Sequence, residues 1–295
     1  MDGIINEQNI EKADVVIIQA GYEKTASSHK GTVHGPRKVV ECLNTQIEFF
    51  NRKYKINTTD FVKIGLSKEM NIENFTPIEV KDYIKEVSLE NIQKNKFVFL
   101  LGGEHSVSLG HLEALSEKYN PKEVTILQID AHCDLRNDDS DYNPKDPSIF
   151  AHSTIMRRAN ELGYNIVQVG IRTYSKEEHY YFSNKKNHVT VFEWGEKIPN
   201  ISKILKTIKT KYIYISIDID GFDPSVMPGT GTPVQGGLKW WYGVQLLEKA
   251  VKKFELIGAD IVEVLPTPHT VLTEYGSAEL CYRIITEKFK RKAFF

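Results

Sequence analysis

The chain has 295 residues, with 38 Lys and Arg against 39 Asp and Glu and a formal net charge of −1. This balance leaves no basic surplus for nucleic acid, and no apolar run approaches the roughly 18 residues that a membrane helix needs. Hydrophobic residues make up 41%, enough for a sizeable core, and the scattered Cys42, Cys133 and Cys281 give neither a CxxC pair nor an even disulfide set.

In chain order, the N-terminal "MDGIINEQNIEKAD" lacks the basic start and apolar stretch of a signal peptide, so a soluble cytoplasmic protein is expected. The first strand expected is "DVVIIQA" (14–20), followed by a helix over 35–50. The strand "FVKIGL" (61–66) precedes a helix over 79–94, and "KFVFLLG" (96–102) precedes one over 106–119. Next come "EVTILQID" (123–130), a helix over 152–162, "NIVQVGI" (165–171) and "HVTVF" (188–192). "YIYISIDID" (212–220), a helix over 239–253, "ELIGADIVEV" (255–264) and a helix over 276–290 complete the set. Eight strands alternating with helices predict an α/β fold with an eight-stranded, mainly parallel sheet covered on both faces. No Ser/Gly-rich linker or internal repeat divides the chain, so one three-layer domain over 1–295 is expected. Ligands of such sheets bind outside the carboxyl ends of the strands.

Four of these strand ends carry polar groups of one chemical kind. His105 follows "FVFLLGGE". "LQIDAHCDL" spaces Asp130, His132 and Asp134 two residues apart, which puts them on one side of an extended chain and turns Cys133 away. "YIYISIDID" ends in Asp218 and Asp220, again two apart, and Glu263 interrupts the apolar "GADIVEV". Singly, each has a plain explanation: an Asp-rich turn, a flaring strand end, a capping histidine. Together they map to one edge of one sheet, where several buried carboxylates are untenable unless cations neutralise them.

Asp130, Asp134, Asp218 and Asp220 bring four negative charges, and His105 and His132 add two neutral nitrogens. Two divalent cations would balance the four carboxylates, and six side chains can hold two ions if some carboxylates bridge. Oxygen-rich sites with imidazole suit Mn²⁺, while the affinity order leaves zinc open. A metal pair makes a nucleophile from water near neutral pH, which favours hydrolysis. The leaving group then needs a proton carrier, and His152 in "IFAHSTIMRRA" is the candidate.

The segments "GGEHS" (102–106), "DAHCDLR" (130–136), "AHSTIMRR" (151–158), "SIDIDGFDPSVMPGTGTPVQGGL" (216–238) and "DIVEV" (260–264), with "YEKTASSHKGTVHGPRKV" (22–39), together resemble the ureohydrolase family of arginases and agmatinases. The resemblance spans nearly the entire chain and looks closer to prokaryotic agmatinases than to arginases. It implies a single arginase-like α/β domain and two Mn²⁺ per chain. His105, Asp130, Asp134 and Asp218 resemble the ligands of one ion; Asp130, His132, Asp218 and Asp220 resemble those of the other, with Asp130 and Asp218 bridging. His152 matches the family's proton-shuttling histidine, and Glu263 the carboxylate that holds a guanidinium through paired N–H groups.

The implied reaction cleaves a small cationic guanidino substrate to urea and an amine, with agmatine giving putrescine for polyamine biosynthesis. Arginine, aminopropylagmatine and guanidinobutyrate are alternative substrates. A catalytically silent binding or regulatory homologue is a rival that the intact ligand set disfavours. A formiminoglutamate hydrolase, or a deacetylase with one zinc site, is another. The resemblance also implies a homo-oligomer, trimer or hexamer.

The family's metal-binding histidine usually follows Asp but here follows Glu104, from which little change is expected. Two further departures bear on the substrate. Residues 137–150 are acidic, with Asp138, Asp139, Asp141 and Asp146 against Lys145, a local charge of −3, and they lack the Ser/Asn pattern with which arginases hold an α-amino acid. The stretch "LPTPHTVLTEYGSAEL" after Glu263 also diverges from many agmatinases. An acidic rim disfavours a carboxylate tail, so agmatine is expected over arginine. "PGTGTPVQGG" (228–237) lacks the Lys-Ser/Thr of a P-loop and is expected as a tight loop at the rim. "KFKRK" (288–292) is expected as a solvated helix end, and Trp240 and Trp241 as packing residues.

Overall fold

Runs rich in Val and Ile fit a pleated surface, and they bury both faces once helices cover them. The computed structural model describes residues 3–294. Its main strands are β1 (Val15–Ala20), β2 (Ile64–Leu66), β3 (Phe97–Gly102), β4 (Val124–Ile129), β5 (Asn165–Ile171), β6 (Val189–Glu193), β7 (Tyr212–Asp218) and β8 (Glu255–Val262). They pair in the order β2-β1-β3-β8-β7-β4-β5-β6, and every pairing is parallel. The last two strands of the chain are thus inserted between β3 and β4. The ends of β3, β8, β7 and β4, far apart in sequence, lie side by side.

Helices α1 (Gly35–Thr45), α2 (Pro77–Gln93), α3 (Ser108–Ser116), α4 (Ile155–Glu161), α5 (Lys176–Ser183), α6 (Ile201–Thr207), α7 (Trp240–Lys253) and α8 (Leu272–Phe289) cover the sheet. Alternation along the strands divides the core into two layers. Val15 and Ile17 join Leu43 of α1, Ile204 of α6, Leu247 of α7 and Ile284 of α8. Val16 and Ile18 join Ile84 of α2, Leu112 of α3 and Met156 of α4, with Phe182 of α5 packed at the edge. This is one three-layer α/β domain, as the alternation of elements predicted.

Some elements differ from the sequence expectation. The helix expected over 35–50 stops at Thr45, and Phe50–Asn51 pairs antiparallel with Ile56–Asn57. Helices α5 and α6 were not expected. They have only eight and seven residues and bury few of them, so the apolar period is faint, although Ser175 and Glu178 form a capping box. The "KFKRK" end is not uniformly solvated: Lys288 donates to the Leu256 carbonyl at 2.7 Å, and burial pushes its pKa down to about 8. Trp240 packs near Phe222, but Trp241 is 56% exposed rather than a core residue. Among the described residues, no helix is long and apolar enough to cross a membrane.

Candidate active site and metal centre

The carboxyl ends of β3, β4, β7 and β8 deliver the predicted polar residues to one place. His105 opens a short turn after β3, Asp130 follows β4, and Asp218 ends β7. Asp220 lies past the strand, in the turn Ile219–Gly221, where Asp218 accepts its backbone N–H at 2.9 Å. The 130–134 segment is not extended throughout, because Asp134 is left-handed with φ 52°. That kink sends the Asp134 carbonyl to the Met156 and Arg157 N–H groups at the start of α4, at 3.0 and 3.2 Å. Its carboxylate turns back to His105. Cys133 and Leu135 face the opposite way, into the core beside α2 to α5.

The six residues expected as ligands converge. His105 Nδ1 lies 3.4 Å from Asp130 Oδ2, 2.9 Å from Asp134 Oδ2 and 3.5 Å from Asp218 Oδ2. His132 Nδ1 lies 3.0 Å from Asp220 Oδ2 and 3.6 Å from Asp130 Oδ1. Donor atoms of His105, Asp130 and Asp218 form one compact group, and those of Asp130, His132 and Asp220 another, so Asp130 is common to both.

Three carboxylates crowd His105 Nδ1, yet this buried atom has no hydrogen-bond partner. Its other nitrogen, Nε2, meets Ser216 Oγ at 2.9 Å, and Ser216 in turn donates to Asp260 Oδ1 at 2.8 Å. With the serine proton committed to Asp260, Nε2 keeps its imidazole proton, and Nδ1 faces the cluster, where it offers a lone pair once a cation displaces the proton that the carboxylates favour there. A lone pair aimed between carboxylates fits a cation there.

The protonation balance points the same way. Burial opposes charge on His105 and His132, but the surrounding carboxylates hold both well above the usual imidazole range. Burial, then the charges of Asp220 and Asp130, pushes the Asp218 carboxyl well up; burial and Asp130 push Asp134 up to about 7. The cluster must hold protons when it holds nothing else, and divalent cations would displace them.

One layer beneath Asp130 and Asp218, a polar row crosses four neighbouring strands in register: Gln168 on β5, Gln128 on β4, Ser216 on β7 and Asp260 on β8. All four are buried. Gln168 Nε2 donates to Gln128 Oε1 at 2.6 Å, and Gln128 Nε2 donates to Asp130 Oδ2 at 2.6 Å. Tyr214 adds a hydrogen bond to Asp260 Oδ2, also at 2.6 Å. In the sequence, the one signal of this row is Asp260, a carboxylate within an apolar strand.

Above the cluster is a cleft of about 360 Å³, walled by His132, Asp134, Asp218, Asp220, Glu263, His152, Ser27, Arg136, Tyr142 and Thr232. Glu263 is left-handed at φ 62°; its N–H donates to the Gly103 carbonyl at 2.7 Å, and its Oε1 accepts the His105 N–H at 2.9 Å. Burial, then the charge of Glu104, holds its carboxyl well above the usual range, so a cation in the cleft would be welcome beside it. His152 Nε2 lies 3.2 Å from Ser27 Oγ, while its buried Nδ1 is unpartnered. Burial, then His132, pushes its pKa down to about 4. Thr232, from the rim loop expected at 228–237, donates to Asp220 Oδ2 at 2.9 Å. Arg172, also not anticipated, donates to the carbonyls of Asp220 and Val234, both at 2.7 Å, and so ties that loop to the end of β7. A larger cavity of about 770 Å³ between the 50–57 hairpin, α7 and α8 contains none of these groups.

Residues 13–286 match the sequence profile of the Arginase family. An N(1)-aminopropylagmatine ureohydrolase of Synechocystis is 31% identical over 281 residues, covering 92% of this chain and 88% of that protein. An agmatinase of Bacillus subtilis is 31% identical over 264 residues, covering 87% and 85%. The crystal structure of the agmatine ureohydrolase of Thermoplasma volcanium superposes with a TM-score of 0.85 at 27% identity, covering 100% of this chain and 96% of that one.

Proposed function

The chain belongs to the arginase family, and on that premise we propose that it hydrolyses a small cationic guanidino compound to urea and an amine. The observation that carries the reading is the convergence of four carboxylates and two imidazoles, with Asp130 shared by two donor groups. His105, Asp130, Asp134 and Asp218 would hold one Mn²⁺, and Asp130, His132, Asp218 and Asp220 the other. Oxygen and imidazole donors without thiolate support manganese. Bound there, the ions would supply a nucleophile from water near neutral pH and offset the buried negative charge.

The chain's own residues do the rest. Glu263, fixed by the His105 N–H, faces the cleft and orients the planar guanidinium. His152 rests neutral, accepts a proton and passes it to the departing amine. Tyr142 and Ser27 narrow the cleft around that transfer. Trimeric or hexameric assembly and a cytoplasmic location belong to the same proposal and rest on the family resemblance alone.

Agmatine is the proposed substrate. Among the described residues, the one guanidinium on the cleft wall, Arg136, is engaged by Asp141 and lies over Tyr142, so an α-carboxylate would lack a free guanidinium there. A longer amine is the second reading. At Ser27 and Tyr142 the cleft adjoins a cavity of about 560 Å³ whose lining includes Asp139 and Asp146 against Lys24, an acidic balance that suits a tail with a further ammonium.

Urea release from agmatine, aminopropylagmatine, guanidinobutyrate and arginine tests this with Mn²⁺-loaded protein. The expected result is a higher kcat/KM for the amine-tailed compounds than for arginine, lost on chelation and restored by Mn²⁺ at about two ions per chain. A preference for arginine overturns the substrate assignment; no urea from any of them leaves a silent homologue. Glu263→Gln should keep the metals and lose about 10- to 100-fold in kcat/KM, the range of a hydrogen bond to a charged group. An unchanged kcat/KM removes Glu263 from the substrate site.

A further inference from the structure

We propose that Glu104, acting through Thr25, positions His152, so that one buried carboxylate ties the turn bearing His105 to the turn bearing the proton carrier. The inference rests on the hydrolase reading of the site. Glu104 is fully buried. Its Oε2 accepts the Thr25 N–H at 2.8 Å, and its Oε1 accepts the Thr25 and Ser106 hydroxyls, each at 2.5 Å. Thr25 has spent its one hydroxyl proton on Glu104, so its oxygen can only accept elsewhere. It accepts the backbone N–H of His152 at 3.1 Å.

Two residues on, Ser27 meets the His152 ring. The loop around Thr25 therefore grips the histidine at both its backbone and its imidazole. That loop belongs to no helix or strand, and Lys24, Ser27 and Ser28 are exposed. Among the described residues, every hydrogen bond of Thr25 goes to Glu104 or His152. Gly103 lets the preceding chain pass close, since a Cβ there would collide with the Tyr22 carbonyl. The Glu at 104 has a geometric reason: an Asp would withdraw the carboxylate by about 1.5 Å, one carbon–carbon bond, from Thr25.

Glu104 and Thr25 are positioning residues, because neither touches the reacting groups. The test compares wild type with Thr25→Ala, Thr25→Ser and Glu104→Gln, all loaded with Mn²⁺, by metal content, thermal midpoint, KM and the pH profile of kcat. Thr25→Ala should retain the wild-type metal content and KM while kcat falls about 10- to 100-fold, as expected for a misplaced catalytic group, and the thermal midpoint drops by a few degrees for the lost hydrogen bonds. Thr25→Ser, which keeps the hydroxyl, should recover most of the loss, and added imidazole should raise the turnover of Thr25→Ala but not of wild type. Glu104→Gln should follow Thr25→Ala in kcat. Wild-type kcat in Thr25→Ala, metal loss in step with activity, or no recovery in Thr25→Ser overturns the inference while the hydrolase reading stands. A wild-type protein that releases no urea overturns both.

Discussion

Asp130→Asn is expected to lose both metal positions and, with them, urea release. Asp130 belongs to both donor groups, so its charge is felt at both. Both of its oxygens are also committed as acceptors: Oδ2 to Gln128 Nε2 and Oδ1 to the His132 N–H, each at 2.6 Å. An amide must turn an NH₂ toward one of these donors, which leaves a buried donor facing a donor. Loss of an outer partner of a metal ligand costs about 10- to 100-fold in affinity or activity, and removal of a shared ligand should exceed that. Elemental analysis beside a urea assay decides the matter. Near-normal occupancy of both positions would sink the sharing assignment.

His152→Ala should behave in the opposite way, retaining metal while losing turnover by roughly 10²–10⁴-fold, the range for a general acid or base. His152 sits on the wall of the cleft, outside both donor groups, and its side chain meets Ser27. Removing the imidazole leaves His105 and its three carboxylates in place. Collapse of the metal content in this variant would make His152 a ligand and end its role as proton carrier.

The sheet and its functional edge were legible in the sequence because two simple signals coincide. Continuous apolar runs mark strands buried on both faces, and polar residues at the ends of those runs mark the carboxyl edge. His105, Asp130, Asp218 and Glu263 stand out for that reason. Asp134 and Asp220 were expected on straight extended segments, but a left-handed residue and a tight turn carry them instead. Spacing gave their neighbourhood and missed their path. Residues that act by supporting others were harder to see. Ser27 and Thr25 lie in an exposed loop with no pattern, and their roles appear only when residues more than a hundred positions later fold against them. Arg172 gives no sequence cue, because its partners are backbone carbonyls rather than acidic side chains.

The buried row Gln168–Gln128–Ser216–Asp260 also bears on how the strands find their alignment. A parallel sheet that is apolar on both faces carries little information about register, since sliding a strand by one residue exchanges one apolar side chain for another. Here such a slip of β4 would turn Gln128 into the layer under α1, α6, α7 and α8. It would leave Gln168 and Asp130 without the amide that joins them and set Leu127 or Ile129 against Ser216. Each unsatisfied polar group costs about 1–3 kcal/mol, so several at once penalise every misaligned sheet. The same side chains that steady the ligands thus act as an alignment key for the fold, and the sheet that satisfies them is the one that brings the catalytic edge together.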